Sequence, residues 1–196
     1  DGDEYHNYVG GLDMRWKVSD QHNLQVQYLR SSTEYPGSVA AEFEQPVGSF
    51  DGDAAHVGYN YDSRNWFAYV RHRAFSEDFR ADSGFIPQVD TNMQVVGLGR
   101  IWHGEEDHWY SRIRLNGDWD ITHDDAGRLL EREVEFEVGV QGPMQSYVEI
   151  GAFTRDRLFD DILFKENKIR LYGQLQPRGG LRIGLSTRIG DQVDFD

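Results

Sequence analysis

Four glutamates at every second position form the most suggestive chemical pattern in the sequence. Glu131, Glu133, Glu135 and Glu137 alternate with mostly apolar residues. A retaining glycosidase uses a pair of carboxyl groups about 5 Å apart, one of them with a raised pKa. A repeating row flanked by arginines offers neither that asymmetry nor a sugar cleft. The row therefore favours structural ion pairs over catalysis, and we predict that the chain is not an enzyme.

Histidines and acidic pairs are the candidate metal ligands, but their spacing argues against a metal site. The histidine spacings match no ligand pattern. The acidic groups lack the spaced ligands and closing glutamate of a twelve-residue calcium loop. We therefore predict no metal and no cofactor, and interpret the acidic groups as solvated turns. The histidines are His6, His22, His56, His72, His103, His108 and His123, and the acidic groups lie at 51–53, 124–125 and 160–161.

Composition narrows the class of protein further. The 196 residues suffice for one domain, and a net charge of −14 without any basic run argues against a nucleic-acid partner. Cysteine is absent, which excludes disulfides and a thiol nucleophile. No apolar run approaches the length of a transmembrane helix, but a transmembrane strand needs only about ten residues of alternating character.

The elements that must position the charged residues are strands, because nearly every segment between turn signals alternates with period two. We predict an all-β fold, an antiparallel up-and-down meander of about ten strands. All five prolines fall outside the predicted strands, as a hydrogen-bonded sheet requires. The predicted strands cover 5–18, 24–31, 54–61, 65–75, 93–103, 109–120, 129–141, 146–155, 167–176 and 180–190.

Short and long links alternate along this assignment. The short links are 19–23, 62–64, 104–108, 142–145 and 177–179, and the long ones are 32–53, 76–92, 121–128 and 156–166. Short turns at one end and long loops at the other are typical of an outer-membrane β-barrel. Residues 1–196 are therefore predicted to form a single domain, an outer-membrane-type β-barrel or part of one, in the bacterial outer membrane.

Alternation leaves open which face of the sheet points inward. Aromatic placement favours a lipid-facing apolar side, because tryptophans gather near strand ends, where a membrane interface would hold them. Trp16, Trp66, Trp102 and Trp109 lie beside short links, and Trp119 lies at the long-link end. The charged side is then predicted to face the lumen, through Arg112, Arg114, Glu131, Glu133, Glu135, Glu137, Arg182 and Arg188.

The two ends of the sequence predict a piece of a longer chain. The start, Asp1-Gly2-Asp3-Glu4, carries no signal-peptide features. With short turns in the periplasm, the first strand would start and the tenth would end outside the cell, unlike a whole bacterial barrel. The end, residues 192–196, also lacks a strand that finishes in an aromatic residue.

Several segments resemble a bacterial family. Residues 59–68 (YNYDSRNWFA) and 79–90 (FRADSGFIPQVD) are similar to domain-of-unknown-function family 5916, as are 13–16, 27–33 and 190–195. Ser83 stands where the family pattern has an aliphatic residue. Its members join an N-terminal domain like a family 9 carbohydrate-binding module to a C-terminal outer-membrane-type barrel. The resemblance implies a barrel fragment, a carbohydrate partner bound through a domain outside this chain, and no catalytic residues.

These patterns lead to a non-enzymatic outer-membrane barrel that acts as a pore, an anchor or a display platform. Its expected partners are the lipid bilayer or lipopolysaccharide, whose bridging divalent ions the acidic loops would contact. The alternative is a soluble barrel that binds an apolar small molecule inside, with its charges outward. A carbohydrate-active enzyme is a weaker alternative, suggested only by the partner domain of the resembled family.

Overall fold

The structure is a computed structural model that describes residues 5–191, and it is nearly all β. Its one helix within that range is α1 (Gly37–Glu42). The predicted all-β meander of about ten strands is confirmed. The strands are β1 (His6–Lys17), β2 (His22–Glu34), β3 (Ser49–Asp62), β4 (Trp66–Phe75), β5 (Thr91–His103), β6 (Arg112–His123), β7 (Leu129–Gly142), β8 (Ser146–Phe159), β9 (Ile162–Arg178) and β10 (Leu181–Gly190).

The strands form one sheet in strict chain order, β1 to β10. Cα partners such as Glu133↔Arg155 and Arg155↔Glu166 show that β7, β8 and β9 pair in antiparallel fashion. Within residues 5–191, no hydrogen-bonded pairing joins β10 back to β1. The predictions that concerned residues 1–4 and 192–196 lie outside the described residues.

The predicted alternation of short and long links is wrong beyond the first four links. The observed links are 18–21, 35–48, 63–65, 76–90, 104–111, 124–128, 143–145, 160–161 and 179–180. The predicted long link 156–166 is a two-residue turn, because β8 and β9 both extend toward it. Asp160 and Asp161 have φ of 48° and 59°, the left-handed values that a type I′ hairpin turn requires.

Pro177 lies inside β9, whereas all five prolines were predicted to fall between strands. The pairing of β9 with β10 shifts register there, between Leu181↔Arg178 and Ile183↔Leu175. A register shift leaves a backbone position without a ladder partner, so a residue that lacks an N–H is tolerated. The missing donor of Pro177 therefore coincides with an irregularity in the sheet.

The described residues group into two compact units. Unit 1 contains residues 5–59, 71–94 and 123–128, and unit 2 contains 60–70, 95–122 and 129–191. In each unit the apolar side of the strands is the exposed one. Leu12 of unit 1 is 80% exposed, and Ile150 and Ile189 of unit 2 are 52% and 68% exposed. Only four apolar side chains of the described residues are buried: Ala40, Ala54, Phe67 and Phe79.

Unit 1 uses the link 76–90 to cover the polar side of its strands. Phe79 is fully buried there, and the backbone N–H of Arg80 donates to Ser31 Oγ at 3.1 Å. Asn7 donates to the carbonyl oxygen of Arg80 at 3.1 Å and accepts from the N–H of Asp82 at 3.0 Å. The Tyr35 hydroxyl donates to Asp82, and burial together with that bond raises the pKa of Tyr35 to about 12. The link is thus held by the buried Phe79 ring together with several part-buried and exposed hydrogen bonds.

Candidate functional site

The most organised group of polar side chains lies on one face of β7, β8 and β9 in unit 2. The alternation of each strand places every second residue on this face, and the registers of β7 with β8 and of β8 with β9 align the three rows. We call this set the charge ladder. Its members are Glu131, Glu133, Glu135, Glu137, Glu149, Arg155, Arg157, Glu166, Lys168 and Arg170.

Glu166 is the most buried member of the charge ladder. Its side chain is 3% exposed, and it accepts from Arg155 Nε at 2.9 Å and from Arg155 Nη2 at 2.6 Å. Its other oxygen lies 2.8 Å from Lys168 Nζ. Arg155, 18% exposed, also lies 3.7 Å from Glu133. Two cations and two carboxylates are therefore interlocked across three strands.

Arg170 holds three carboxylates together further along the same face. Its Nη2 lies 2.6 Å from Glu137, 3.2 Å from Glu149 and 3.5 Å from Glu135. The Tyr147 hydroxyl donates to the second oxygen of Glu149 at 2.5 Å. At the other end of the charge ladder, Arg157 Nε lies 2.6 Å from Glu131. Shared cations of this kind reduce the repulsion between neighbouring carboxylates, so the arrangement is suited to stabilising a polar face.

Aromatic rings on β4 pack against glycines of β5 on the polar side of unit 2. The Phe67 ring occupies the space where a side chain at Gly99 would lie, and Tyr69 does the same at Gly97. The guanidinium of Arg114 lies 4.3 Å from the centre of the Phe67 ring, and Tyr69 donates to an oxygen of Asp118 at 2.5 Å. The Gly-Leu-Gly sequence thus makes room for two rings.

Replacing Gly99 by alanine is expected to destabilise the fold. Its methyl group would overlap the buried Phe67 ring, and overpacking of this kind costs about 1–3 kcal/mol. Urea unfolding of the protein in micelles would measure the loss. Gly10→Ala is the matched control, because no atom lies within 4 Å of the added methyl group, and we expect a change below about 1 kcal/mol. Equal stability of Gly99→Ala and the parent chain would contradict this packing.

The structure brings most of the predicted lumen residues together. Glu131, Glu133, Glu135 and Glu137 share one face of β7, as predicted. Arg112 and Arg114 lie with Glu137 and Glu149 around a polar concavity of about 530 Å³.

The remaining two predicted lumen residues lie on β10. Arg188 borders a second concavity with Glu133 and Glu135. Arg182 is exposed, and among the described residues no ion pair joins it to the charge ladder.

Sequence reasoning missed several members of the charge ladder. Glu166, Lys168 and Arg170 were not predicted, although Ile169 and Leu171 between and beside them continue the period-two pattern. That pattern would have placed all three on one face of β9. Arg170 is the most important omission, because it contacts three carboxylates.

Trp16, Trp66 and Trp102 lie near strand ends as predicted, whereas Trp109 lies in a link and Trp119 lies inside β6, which continues to His123. Trp16, Trp66 and Trp102 lie in β1, β4 and β5 next to the links 18–21, 63–65 and 104–111, and Trp119 lies in β6. Trp109 was predicted to begin a strand, but β6 starts at Arg112, so Trp109 lies in the link 104–111. Trp16, Trp66, Trp109 and Trp119 are all exposed.

Three of the acidic residues considered as calcium ligands, Asp51, Asp53 and Asp124, have structural partners. Asp51 pairs with Arg30 Nη2 at 2.9 Å, and Asp53 accepts from the Tyr28 hydroxyl. Asp124 accepts from Arg128 through both its backbone N–H, at 2.7 Å, and its Nε, at 3.0 Å. Within residues 5–191, no three His, Asp or Glu side chains come together in an arrangement that would hold a metal ion.

Asp124 is expected to titrate below its ordinary value of 3.8, because the backbone N–H of Arg128, more than its side chain, lowers the pKa of the carboxyl. A lowered folded-state pKa stabilises the link 124–128 above the unfolded value, and this stabilisation is lost as the pH falls through the folded value. An NMR titration of the Asp124 carboxyl carbon would give a midpoint below 3.8. In Arg128→Ala the backbone bond remains, so the midpoint should still lie below 3.8, and a midpoint at or above 3.8 in the parent chain would refute that bond.

Comparison of the chain with protein-family models, curated proteins and solved structures gives no match. The resemblance to domain-of-unknown-function family 5916, and the carbohydrate partner that it implies, stay predictions. No helix within residues 5–191 is long and apolar enough to span a membrane.

Proposed function

We propose that this chain is part of a non-enzymatic outer-membrane-type β-barrel that serves as a membrane anchor or display platform. The observation that carries the proposal is the exposure of its apolar face. In unit 2 that face presents Ile150, Leu185 and Ile189 to the surroundings, while Glu166 and Arg155 on the opposite face are shielded. Water-soluble proteins rarely expose large contiguous apolar patches, whereas a membrane strand turns such a face to lipid.

The charge ladder supports the same proposal. Its cations and anions are paired with one another, which suits a polar face that is shielded from bulk water. The exposed apolar face speaks against the alternative of a soluble barrel with an apolar interior, because that arrangement needs the charged face outside. A carbohydrate-active enzyme has no support in the paired carboxylates.

Insertion into lipid vesicles tests the proposal. The purified chain, diluted from urea into preformed vesicles, should float with the lipid in a density gradient. It should also stay with the lipid after alkaline carbonate washing, which strips peripheral proteins. Recovery of folded protein entirely in the carbonate supernatant would contradict the proposal.

A pore is the second candidate, and the concavity of about 530 Å³ favours it. Arg112 and Arg114 border this space, and among the described residues neither forms an ion pair with a carboxylate. Fixed cations beside a passage attract anions. Reversing both charges, by Arg112→Glu with Arg114→Glu, should shift the ion selectivity of a planar-bilayer conductance toward cations. Arg132→Gln, on the apolar face, is the control and should leave the selectivity unchanged. An unaltered selectivity in the double variant would contradict the proposed pore.

A further inference from the structure

Two tryptophans hold an arginine on the apolar face of unit 2. The guanidinium carbon of Arg100 lies 4.8 Å from the centre of the Trp66 ring and 4.9 Å from that of Trp102. Both distances are within the range of a cation–π contact. We call these three residues the Trp–Arg clamp.

The Trp–Arg clamp lies at the border of the exposed apolar surface. Trp66 is the first residue of β4, and Trp102 is the last but one of β5. Val96 and Leu98 continue the same side of β5 and are exposed. On the other side lies the link 63–65, which is tied to β5 by two backbone carbonyls. Ile101 N–H donates to the oxygen of Asn65 at 2.7 Å, and His103 Nε2 lies 2.9 Å from that of Arg64.

The charge of Arg100 is not balanced within the described part of the chain. No acidic side chain between residues 5 and 191 forms an ion pair with it, although arginines elsewhere on the apolar side do have partners. Arg132 pairs with Asp156 at 2.6 Å, and Arg30 pairs with Asp51 at 2.9 Å. The guanidinium carbon of Arg100 lies over both indole rings, and within residues 5–191 no acceptor takes a hydrogen bond from its N–H groups, which therefore remain open to oxygen acceptors.

We propose that the Trp–Arg clamp binds the phosphate of an anionic phospholipid in the leaflet next to the link 63–65. This inference rests on the proposed membrane location. A guanidinium donates two parallel hydrogen bonds to a phosphate, and the rings hold it in position for them. Indole side chains gain most at the headgroup level, so the clamp and a lipid phosphate would lie at the same depth. The apolar residues Val96 and Leu98 would then contact the acyl chains.

Quenching of tryptophan fluorescence by brominated lipids tests the inference. A chain with Trp16→Phe, Trp109→Phe and Trp119→Phe keeps only the two tryptophans of the clamp. It is inserted into phosphatidylcholine vesicles that contain a minor fraction of brominated lipid, either phosphatidylglycerol or phosphatidylcholine. We expect brominated phosphatidylglycerol to be enriched about fivefold around the clamp, as for one basic residue near an anionic membrane surface.

Substitutions in this chain, whose only tryptophans are those of the clamp, distinguish lipid binding by the Trp–Arg clamp from a general electrostatic attraction of anionic lipids. Arg100→Gln should reduce the enrichment to that of phosphatidylcholine, and Arg100→Lys should retain only part of it, because a point charge lacks the planar donors. Arg132→Gln is the matched control and should keep the full enrichment. Equal quenching by both lipids in the parent chain, full enrichment in Arg100→Gln, or loss in Arg132→Gln would each overturn the inference.

Failure of the inference is distinguishable from failure of the proposed function. A chain that inserts, shows a strand signal by circular dichroism and is quenched equally by both lipids retains its membrane location but loses the lipid site. A chain that folds but is quenched by neither lipid does not contact acyl chains. That result overturns both proposals.

Discussion

Ile150→Arg is expected to lower the free energy of unfolding in lipid vesicles by about 2–4 kcal/mol, the cost of a cation on a lipid-facing strand near the bilayer midplane. Ile150 is the fifth residue of β8, inside the strand, pairs with Val138 and Leu171, and is exposed. In water, the same change at so exposed a position would alter stability by less than about 0.5 kcal/mol. Guanidinium unfolding of vesicle-inserted protein, followed by tryptophan fluorescence, measures the difference.

Ile162→Arg is the matched control for the depth at which the new arginine lies in the bilayer. Ile162 is similarly exposed but opens β9 directly after the turn 160–161, so a cation there would lie close to the membrane surface. We expect a loss of about 0–1 kcal/mol. Small, equal effects of both arginines would show that the apolar face of unit 2 meets water rather than lipid.

Glu166→Gln is expected to destabilise the protein by about 3–5 kcal/mol, because it removes the shared partner of two shielded cations. Glutamine keeps one acceptor oxygen, so either the two bonds from Arg155 or the 2.8 Å contact of Lys168 would be lost, and both cations would lose the negative charge that they share. Since glutamine keeps the shape of glutamate, a cavity would not explain the loss. The measurement is the same unfolding experiment.

An exposed ion pair provides the comparison for Glu166. Asp20 lies 2.7 Å from Lys17 and is 95% exposed, so Asp20→Asn should change stability by about 0–1 kcal/mol. If Glu166→Gln were as mild as Asp20→Asn, the charge ladder would be a solvated surface rather than a shielded one.

Period-two patterning was enough to predict the strands that carry the candidate site. The segment 129–141 was assigned almost to the residue, because glutamates alternate with mostly apolar residues along β7. The shared face of Glu131 to Glu137 follows directly from that alternation. The alternation does not predict which cations pair with these glutamates, because the pairing depends on the register between strands. Glu133 faces Arg155, while Arg170 reaches Glu137 from β9, two strands away.

Link lengths were harder to predict, because strands extend when a partner continues to pair. β8 and β9 run on to a tight turn at Asp160 and Asp161, although neither residue is the glycine that usually marks such turns. The sequence also did not predict that the link 76–90 docks on the polar side of the strands of unit 1. This docking depends on Phe79 and on backbone hydrogen bonds to Ser31 and Asn7, which leave no periodic signal in the sequence.

Alternation could not decide which face of the sheet is exposed, since both arrangements give the same pattern. In the structure the apolar face is the exposed one, as Leu12, Ile150 and Ile189 show. This exposure is also the basis of the proposed membrane location.

Folding with and without a membrane mimic tests the account most directly. The chain would be refolded from urea into plain buffer and, separately, into detergent micelles, then compared by circular dichroism and size-exclusion chromatography. We expect a strand signal and a compact monomer only in micelles, because the exposed apolar face needs an apolar environment. A compact, folded monomer in plain buffer would contradict it and would place the apolar face inside the protein.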